Sequence, residues 1–360
     1  MASRPAHLLL ALSGHGYGHL AQAAPVVNAL REQLPGLVIS VCGSLPQAVV
    51  AARIKGDFYY RQAELDPVLC MLNAWEVDAM ASRQVYRTFH RDWQPGFQSD
   101  IKLLQQYQPD LVLADIPWRI LLAAAELKIP AVALCSLNWA SIYAAYCDAG
   151  SEDRQIIQQM NSAYRSAAVF LAPTPSITMP DLDNVTTIGP IARTGCRQQQ
   201  RLLQHCAADP ALRPVLVALG GIATRLPVEN WPRIKDVVWI FTEALQSNRA
   251  DMIDFNSLGM TFIDVLASCD VVLTKPGYGT YAEAVCNGVP LLTIERPDWP
   301  ETAFLNSWAE QHGHLGIMSA GQFHSGQFAQ LLGRLLGRHI DSPPDPTGIA
   351  EAVGVIRAQL

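Results

Sequence analysis

Residues 270–290 read DVVLTKPGYGTYAEAVCNGVP, an apolar run that ends in a glycine-bearing turn and passes into a helix with a carboxylate in its second turn. Val271 to Leu273 predicts a strand buried in a sheet. Gly277 and Gly279 predict backbone conformations and close approaches that a Cβ would block. The first N–H groups of the following helix, from Tyr278 to Thr280, then face a phosphate. Lys275 adds a full positive charge beside the helix dipole. Glu283, six residues beyond Gly277, is placed to accept hydrogen bonds from ribose hydroxyls rather than to meet phosphates. Strand, glycine turn and helix form the unit of a doubly wound α/β domain, and the chain repeats that unit in both directions.

Toward the N-terminus of this stretch lie predicted strands Val215 to Leu219, leading into Gly220-Gly221, then Val237 to Phe241 and Met252 to Phe255, with a helix near Thr261 to Ser268. Beyond it come a strand Leu291 to Ile294 and helices near Glu301 to His312 and Gln322 to Leu336. The first half opens on strand His7 to Leu12, which runs through SGHGYGH into a helix from about Leu20 to Leu34. Strands follow at Leu37 to Cys42, Asp110 to Ala114, Ala131 to Leu134, Val169 to Leu171 and Val185 to Pro190. Phe58 to Tyr107 is richer in aromatics and charges, and reads as helical from about Glu76 with an interruption at Trp93-Gln94-Pro95-Gly96. The polar stretch TGCRQQQRLLQHCAADPALRP reads as a connection between domains. The pattern predicts an α/β protein of two Rossmann-like, doubly wound lobes facing a central cleft: residues 1–192, with a helix at about 347–360 returning to them, and residues 193–346. Parallel sheets place ligands at the carboxyl ends of their strands, so GHGYGH and KPGYGT both point to such an edge.

Composition agrees with buried parallel sheets, since half of the 360 residues are hydrophobic and 16% are charged. A formal net charge of −6, with no cluster of Lys and Arg interleaved with aromatics, argues against a nucleic-acid partner. Eight cysteines stand singly, without CxxC or metal-like His/Cys spacing, and read as reduced core thiols. The apolar run His7 to Ser13 is too short for a secretion signal or a membrane span, which predicts a cytoplasmic protein without a transmembrane segment.

With these residues in view, the chain resembles the GT-B glycosyltransferases, inverting enzymes that use nucleotide-sugar donors. KPGYGTYAE is similar to the plant-type donor signature HCGWNSxxE, with Gly277 at its glycine, Thr280 at its serine and Glu283 at its ribose-binding glutamate. Lys275 stands where that signature has histidine. GHGYGH resembles the GGTGGH loop of the bacterial peptidoglycan N-acetylglucosaminyl transferase, with His19 at the terminal histidine. GGIATRL, from Gly220, keeps the two glycines of that enzyme's second phosphate loop. DLVLAD resembles the strand ending in the aspartate of the plant enzymes' His/Asp dyad, here Asp115. The strongest resemblance is to the glycosyltransferase-like N-terminal region of plant-type L-arabinokinases, which has GHGFGH, a tract like SLNWASIYAAY and KIGYGTxxEA followed by a segment like ETAFLN. It implies a free-standing version of that region.

The resemblance implies a sugar moved from a nucleoside-diphosphate donor, most simply a uridine diphosphate (UDP) sugar, to a hydroxyl of a small-molecule or glycan acceptor, with no cofactor beyond the donor. His19 suits an acceptor base, because an imidazole accepts a proton at neutral pH, and Asp115 would fix its tautomer. His15, within the same loop, is the rival base. Lys275 and the helix start at Tyr278, Gly279 and Thr280 would offset charge on the leaving phosphate, so no metal is required. The one DxD sequence, Asp181-Leu182-Asp183, reads as a solvated loop. Glu301 and Asn306 lie in the segment where the family holds the donor sugar, whose identity stays open. Trp118, Asn138, Trp139 and Tyr143 are candidates for the acceptor cleft, and Trp299 for a further stacking face. Two other functions remain: a nucleotide-sugar epimerase or hydrolase on the same fold, and a nucleotide-sugar-binding regulator without catalysis.

Overall fold

The computed structural model describes residues 4–72, 76–206, 209–220, 226–242, 247 and 249–360. These fall into two compact units. The first holds the described residues up to Ile191 together with Thr347–Leu360, and the second runs over the described residues of Ala192–Pro346.

The first unit is built on strands β1 (His7–Leu12), β2 (Val38–Gly43), β3 (Tyr59–Gln62), β4 (Leu111–Asp115), β5 (Ala131–Leu134), β6 (Val169–Pro173) and β7 (Val185–Ile188). They form one sheet in the order β3-β2-β1-β4-β5-β6-β7, with every pairing parallel. Leu8, Leu9 and Leu10 are all fully buried, although successive strand residues point to opposite faces. A central strand covered on both faces produces that pattern, and it explains the unbroken apolar run. Its helices are α1 (Gly18–Gln33), α2 (Gln47–Ala51), α3 (Ala79–Arg91), α4 (Trp93–Tyr107), α5 (Arg119–Glu126), α6 (Trp139–Cys147) and α7 (Ser151–Arg165). The last helix of the chain, Gly348–Gln359, also belongs here: Arg357 donates to Gln33 Oε1 of α1 at 2.8 Å.

The second unit carries α8 (Gln199–His205), β8 (Arg213–Ala218), β9 (Val237–Phe241), β10 (Met252–Asp254), α9 (Phe262–Ser268), β11 (Val271–Thr274), α10 (Tyr278–Cys286), β12 (Leu291–Ile294), α11 (Thr302–His312), β13 (Leu315–Met318), α12 (Ala320–Ser325) and α13 (Ala329–Leu335). Its sheet is again wholly parallel, in the order β10-β9-β8-β11-β12-β13. Val215, Val217, Trp239, Val271, Leu273, Phe323 and Phe328 form its apolar core.

Several local expectations need correction. The interruption in the aromatic segment falls at Asp92, and Trp93-Gln94-Pro95-Gly96 opens α4 rather than breaking it. Proline is tolerated in a first turn, where its missing N–H has no intrahelical partner to lose. The helix expected over 322–336 is two helices, because Gly326 adopts φ +75° after α12. Strands β3 and β13 lie at sheet edges: β3 lacks the continuous apolar run that marks the central strands, and the short β13 is only partly buried.

Candidate active site

In each sheet the strand order reverses at one place. In the first it does so between β1 and β4, and in the second between β8 and β11. Such switch points leave a crevice at the carboxyl ends of the two strands, where open α/β sheets receive ligands.

At the first switch point, β1 leads into the glycine loop and α1 while β4 ends at Asp115; Leu12 and Asp115 are partners in the sheet. Gly16 lies in that loop at φ +69°, a conformation that favours glycine. The loop then delivers His19 into the second position of α1, where it is buried. His19 Nδ1 stands 2.8 Å from Asp115 Oδ1, so the carboxylate accepts a hydrogen bond from Nδ1–H and this tautomer leaves the lone pair on Nε2. Burial pushes the Asp115 carboxyl above its usual range, against the pull of His19. Gln22, one turn further along α1, donates to Ser136 Oγ at 3.4 Å and accepts from the Ser136 N–H at 3.0 Å, fixing the helix against the end of β5. Cys135 Sγ lies 3.7 Å from the same His19 nitrogen. Among the described residues, His19, Asp115 and Cys135 are also the one trio of His, Cys, Asp or Glu side chains close enough to share an ion.

His15 is half-buried, and its ring meets the edge of Trp139 at 5.3 Å; the His19 ring stands 5.4 Å from the same indole. Trp139 therefore touches both candidate bases, but it is almost wholly buried and presents no open stacking face. Its Nε1–H donates to Ser13 Oγ at 3.0 Å, and Ser13 in turn donates to Asp66 Oδ2. Sequence reasoning passed over Asp66. Its signal was slight: one acid followed by proline inside the apolar stretch LDPVLCML. Burial pushes its carboxyl up to about 6, against the hydrogen bond from Ser13 and the attraction of His19.

The other acceptor candidates are packing and capping residues, which corrects the expectation for them. Trp118 is fully buried and stacks on Tyr86 and His90, both at 5.8 Å between ring centroids. Tyr143, also fully buried, stacks on Tyr86 at 4.7 Å and donates to Asp153 Oδ1 at 2.9 Å. Arg87 holds that same carboxylate through two donors. Asn138 caps α6 by accepting from the Ser141 N–H at 2.8 Å. Asp181 and Asp183 are exposed on either side of the buried Leu182.

At the second switch point, Ala218 of β8 and Thr274 of β11 are sheet partners. Gly220, just beyond β8, adopts φ +84°, and a Cβ added there would lie 3.6 Å from Lys275 Cε. The structure thus brings Gly220 and Lys275 together; Gly221 lies outside the described residues. Gly277 corrects an expectation, since its φ of −176° is ordinary extended backbone. A Cβ on Gly277 would approach no heavy atom nearer than Lys275 O at 4.0 Å, so the space before it is open. Gly279 is likewise without positive φ and lies inside α10. Tyr278 and Thr280 complete the first turn, whose N-cap residue, Gly277, offers no side chain to its N–H groups.

Burial pushes the Lys275 ammonium down to about 8, helped by Arg296 and opposed by Glu301. Glu283 is largely buried on α10, and Arg193 donates to its Oε1 at 2.7 Å. Asn287 fixes that arginine's segment by donating to Arg193 O at 2.9 Å and accepting from Gly195 N at 2.8 Å. Glu301 is buried and receives the Trp299 indole N–H at 3.3 Å. Trp299 is no open stacking face either, since Arg296 lies over its ring at 4.3 Å. Asn306 of α11 accepts from the Tyr281 hydroxyl of α10 at 2.8 Å. Arg193 and Arg296 are further residues that the sequence did not single out.

No family model matches the chain. Over 317 residues it is 26% identical to an L-arabinokinase of Arabidopsis thaliana, covering 84% of this chain and 30% of that protein. It is 23% identical over 226 residues to an uncharacterized glycosyltransferase of Methanopyrus kandleri, covering 57% of this chain and 62% of the relative. The chain therefore spans less than two thirds of either protein. Among solved structures, the calicheamicin glycosyltransferase CalG4 superposes with a TM-score of 0.64 at 17% identity, over 99% of this chain and 94% of the other. A UDP-glucosyltransferase from Polygonum tinctorium superposes with a TM-score of 0.63 at 14% identity, over 100% and 94%. The fold is that of the GT-B glycosyltransferases. No helix among the described residues is long and apolar enough to cross a membrane.

Proposed function

We propose that this chain is an inverting glycosyltransferase that moves a sugar from a UDP-sugar to an acceptor hydroxyl. The second unit holds the donor. Lys275 and the first turn of α10 meet the diphosphate, and Glu283 accepts from the ribose. The first unit supplies the base. His19 Nε2 takes the proton from the acceptor hydroxyl as its oxygen forms the bond to the anomeric carbon. The bond from that carbon to the donor's phosphate oxygen breaks at the same time, and its electron pair leaves on UDP. A single displacement of this kind inverts the anomeric centre. Asp115 holds the His19 tautomer and stabilises the imidazolium that forms.

The observation that carries this reading is the 2.8 Å contact between His19 and Asp115, made at the switch point of a GT-B sheet. A cation and a helix N-terminus supply the charge that a metal would otherwise bring to the leaving group, so the reaction is proposed to need no metal. The test is chromatography of UDP-sugars incubated with and without hydroxyl acceptors. Transfer requires UDP release that depends on the acceptor, with a product of inverted configuration. Product formed from donor alone would replace transfer with epimerisation or hydrolysis.

A further inference from the structure

Ser13, just past the carboxyl end of β1, is fully buried, and every hydrogen-bonding capacity of its hydroxyl is in use. The Trp139 Nε1–H donates to it at 3.0 Å and the Ile116 N–H at 3.3 Å, while the hydroxyl itself donates to Asp66 Oδ2. An indole N–H and a backbone N–H can only donate, and a hydroxyl has two lone pairs and a single proton. Both lone pairs are taken, so the proton has one destination, the Asp66 carboxylate. The direction of each bond in the set is thereby fixed.

Ser13 reaches the His19–Asp115 pair from two sides. Its own N–H donates to Asp115 O at 2.8 Å, and its hydroxyl accepts from Ile116, so it grips both polar groups of the peptide that follows Asp115. The carboxylate of that aspartate stands 2.8 Å from His19 Nδ1. On the other side, the indole that Ser13 pins lies 5.4 Å from the His19 ring and 5.3 Å from the His15 ring. Tyr164 closes the set, accepting from the Trp139 backbone N–H at 3.3 Å and donating to Ile116 O at 3.0 Å. Without an acceptor at Asp66, the Ser13 hydroxyl would turn toward another, and its lone pairs would leave the two N–H groups that they hold. Buried donors that lose a partner are costly, and the groups carrying them shift.

We propose that Asp66 is a positioning residue: it fixes the proton of Ser13, and Ser13 sets both the Asp115 peptide and the Trp139 indole between which His19 is held. The proposal rests on the reading of His19 as the base and adds the residue that aims it. Aim matters to rate, because a displacement of about 1 Å at the reacting groups can cost about 10²-fold. What Asp66 supplies is an acceptor at one oxygen rather than a charge. An amide whose carbonyl oxygen stands at the Oδ2 position serves in its place, and an apolar side chain of similar size does not.

Initial rates and calorimetric UDP affinity of the whole chain test this in wild type, D66L, D66N, S13A and S13A/D66L. The Trp139 indole N–H resonance, identified by its loss in W139F, is followed alongside. In D66L, kcat falls about 10- to 100-fold while UDP affinity stays within about twofold of wild type. In D66N, kcat returns to within about threefold of wild type. S13A lowers kcat at least as far as D66L, and S13A/D66L falls no further than S13A, since Asp66 acts through Ser13. An Asp66 that merely stabilised the fold would add its loss to that of S13A. The indole resonance moves in D66L and keeps its position in D66N. D66L with wild-type kcat and an unmoved indole resonance overturns the proposal and leaves the His19 reading intact. If D66L does not fold, S13A decides, and wild-type kcat in S13A overturns the proposal equally. H19A with wild-type turnover, or wild type with no turnover on any acceptor, ends the base reading, and the indole resonance in D66L then decides by itself whether Asp66 sets the indole.

Discussion

The two units share a layout and carry opposite electrostatic loads. Each has a parallel sheet whose order reverses beside its first strand, with a glycine-bearing turn and a helix beyond β1 in one and beyond β11 in the other. At the first reversal two buried carboxyls, Asp66 and Asp115, surround an imidazole. At the second, a buried lysine, Lys275, feels both Arg296 and the buried Glu301. Topology provides a crevice in both cases, and the residues decide the chemistry. Buried acid around histidine suits holding and passing a proton, and a buried lysine beside a helix N-terminus suits an anionic leaving group.

Four substitutions break or sharpen that contrast. The largest effect is expected from H19A, which removes the proton acceptor: turnover falls about 10²- to 10⁴-fold while UDP affinity stays within about twofold of wild type. Comparing initial rates with calorimetric binding checks it, and an equal loss in both would place His19 in donor binding instead. E283A should do the reverse, weakening UDP roughly 10- to 100-fold through loss of a charged ribose acceptor, with turnover at saturating donor much less affected.

D66N addresses stability. An unfolded aspartate titrates near 3.9, whereas Asp66 titrates at about 6 in the folded chain. Between those values the folded state binds more protons than the unfolded state, so stability falls as pH rises through this window. The penalty is absent below about pH 4 and complete above about pH 6. D66N should therefore be more stable than wild type by about 3 kcal/mol at neutral pH, with the two converging near pH 4. Denaturant titrations across that range decide it; parallel curves would remove Asp66 from the set of strained charges. R193A should have the smallest effect. A half-exposed ion pair stabilises little, so loss of Glu283 orientation should weaken UDP only about two- to fivefold.

The central strands were legible because both their faces are buried, as in Leu8 to Leu10 and Val271 to Leu273, which leaves an unbroken apolar run. Edge strands such as Tyr59–Gln62 are largely exposed and have no such run. In the site, local pattern marked His19, Asp115, Lys275 and Glu283, because each follows a strand or glycine turn at short spacing. Pairing across long separations was hidden. Nothing near Asp66 or Arg193 in the sequence foretells Ser13, 53 residues away, or Glu283, 90 residues away. Aromatic residues misled for a simpler reason: Trp118 and Tyr143 fill the core, where large rings usually go.

The central claim is that the turn between β11 and α10 cradles the diphosphate of a nucleotide sugar. A crystal structure of the chain with UDP tests it most directly. The account predicts phosphate density before Gly277 and against the first turn of α10, with the ribose hydroxyls on Glu283. UDP seated on any other surface, with that turn empty, would contradict it.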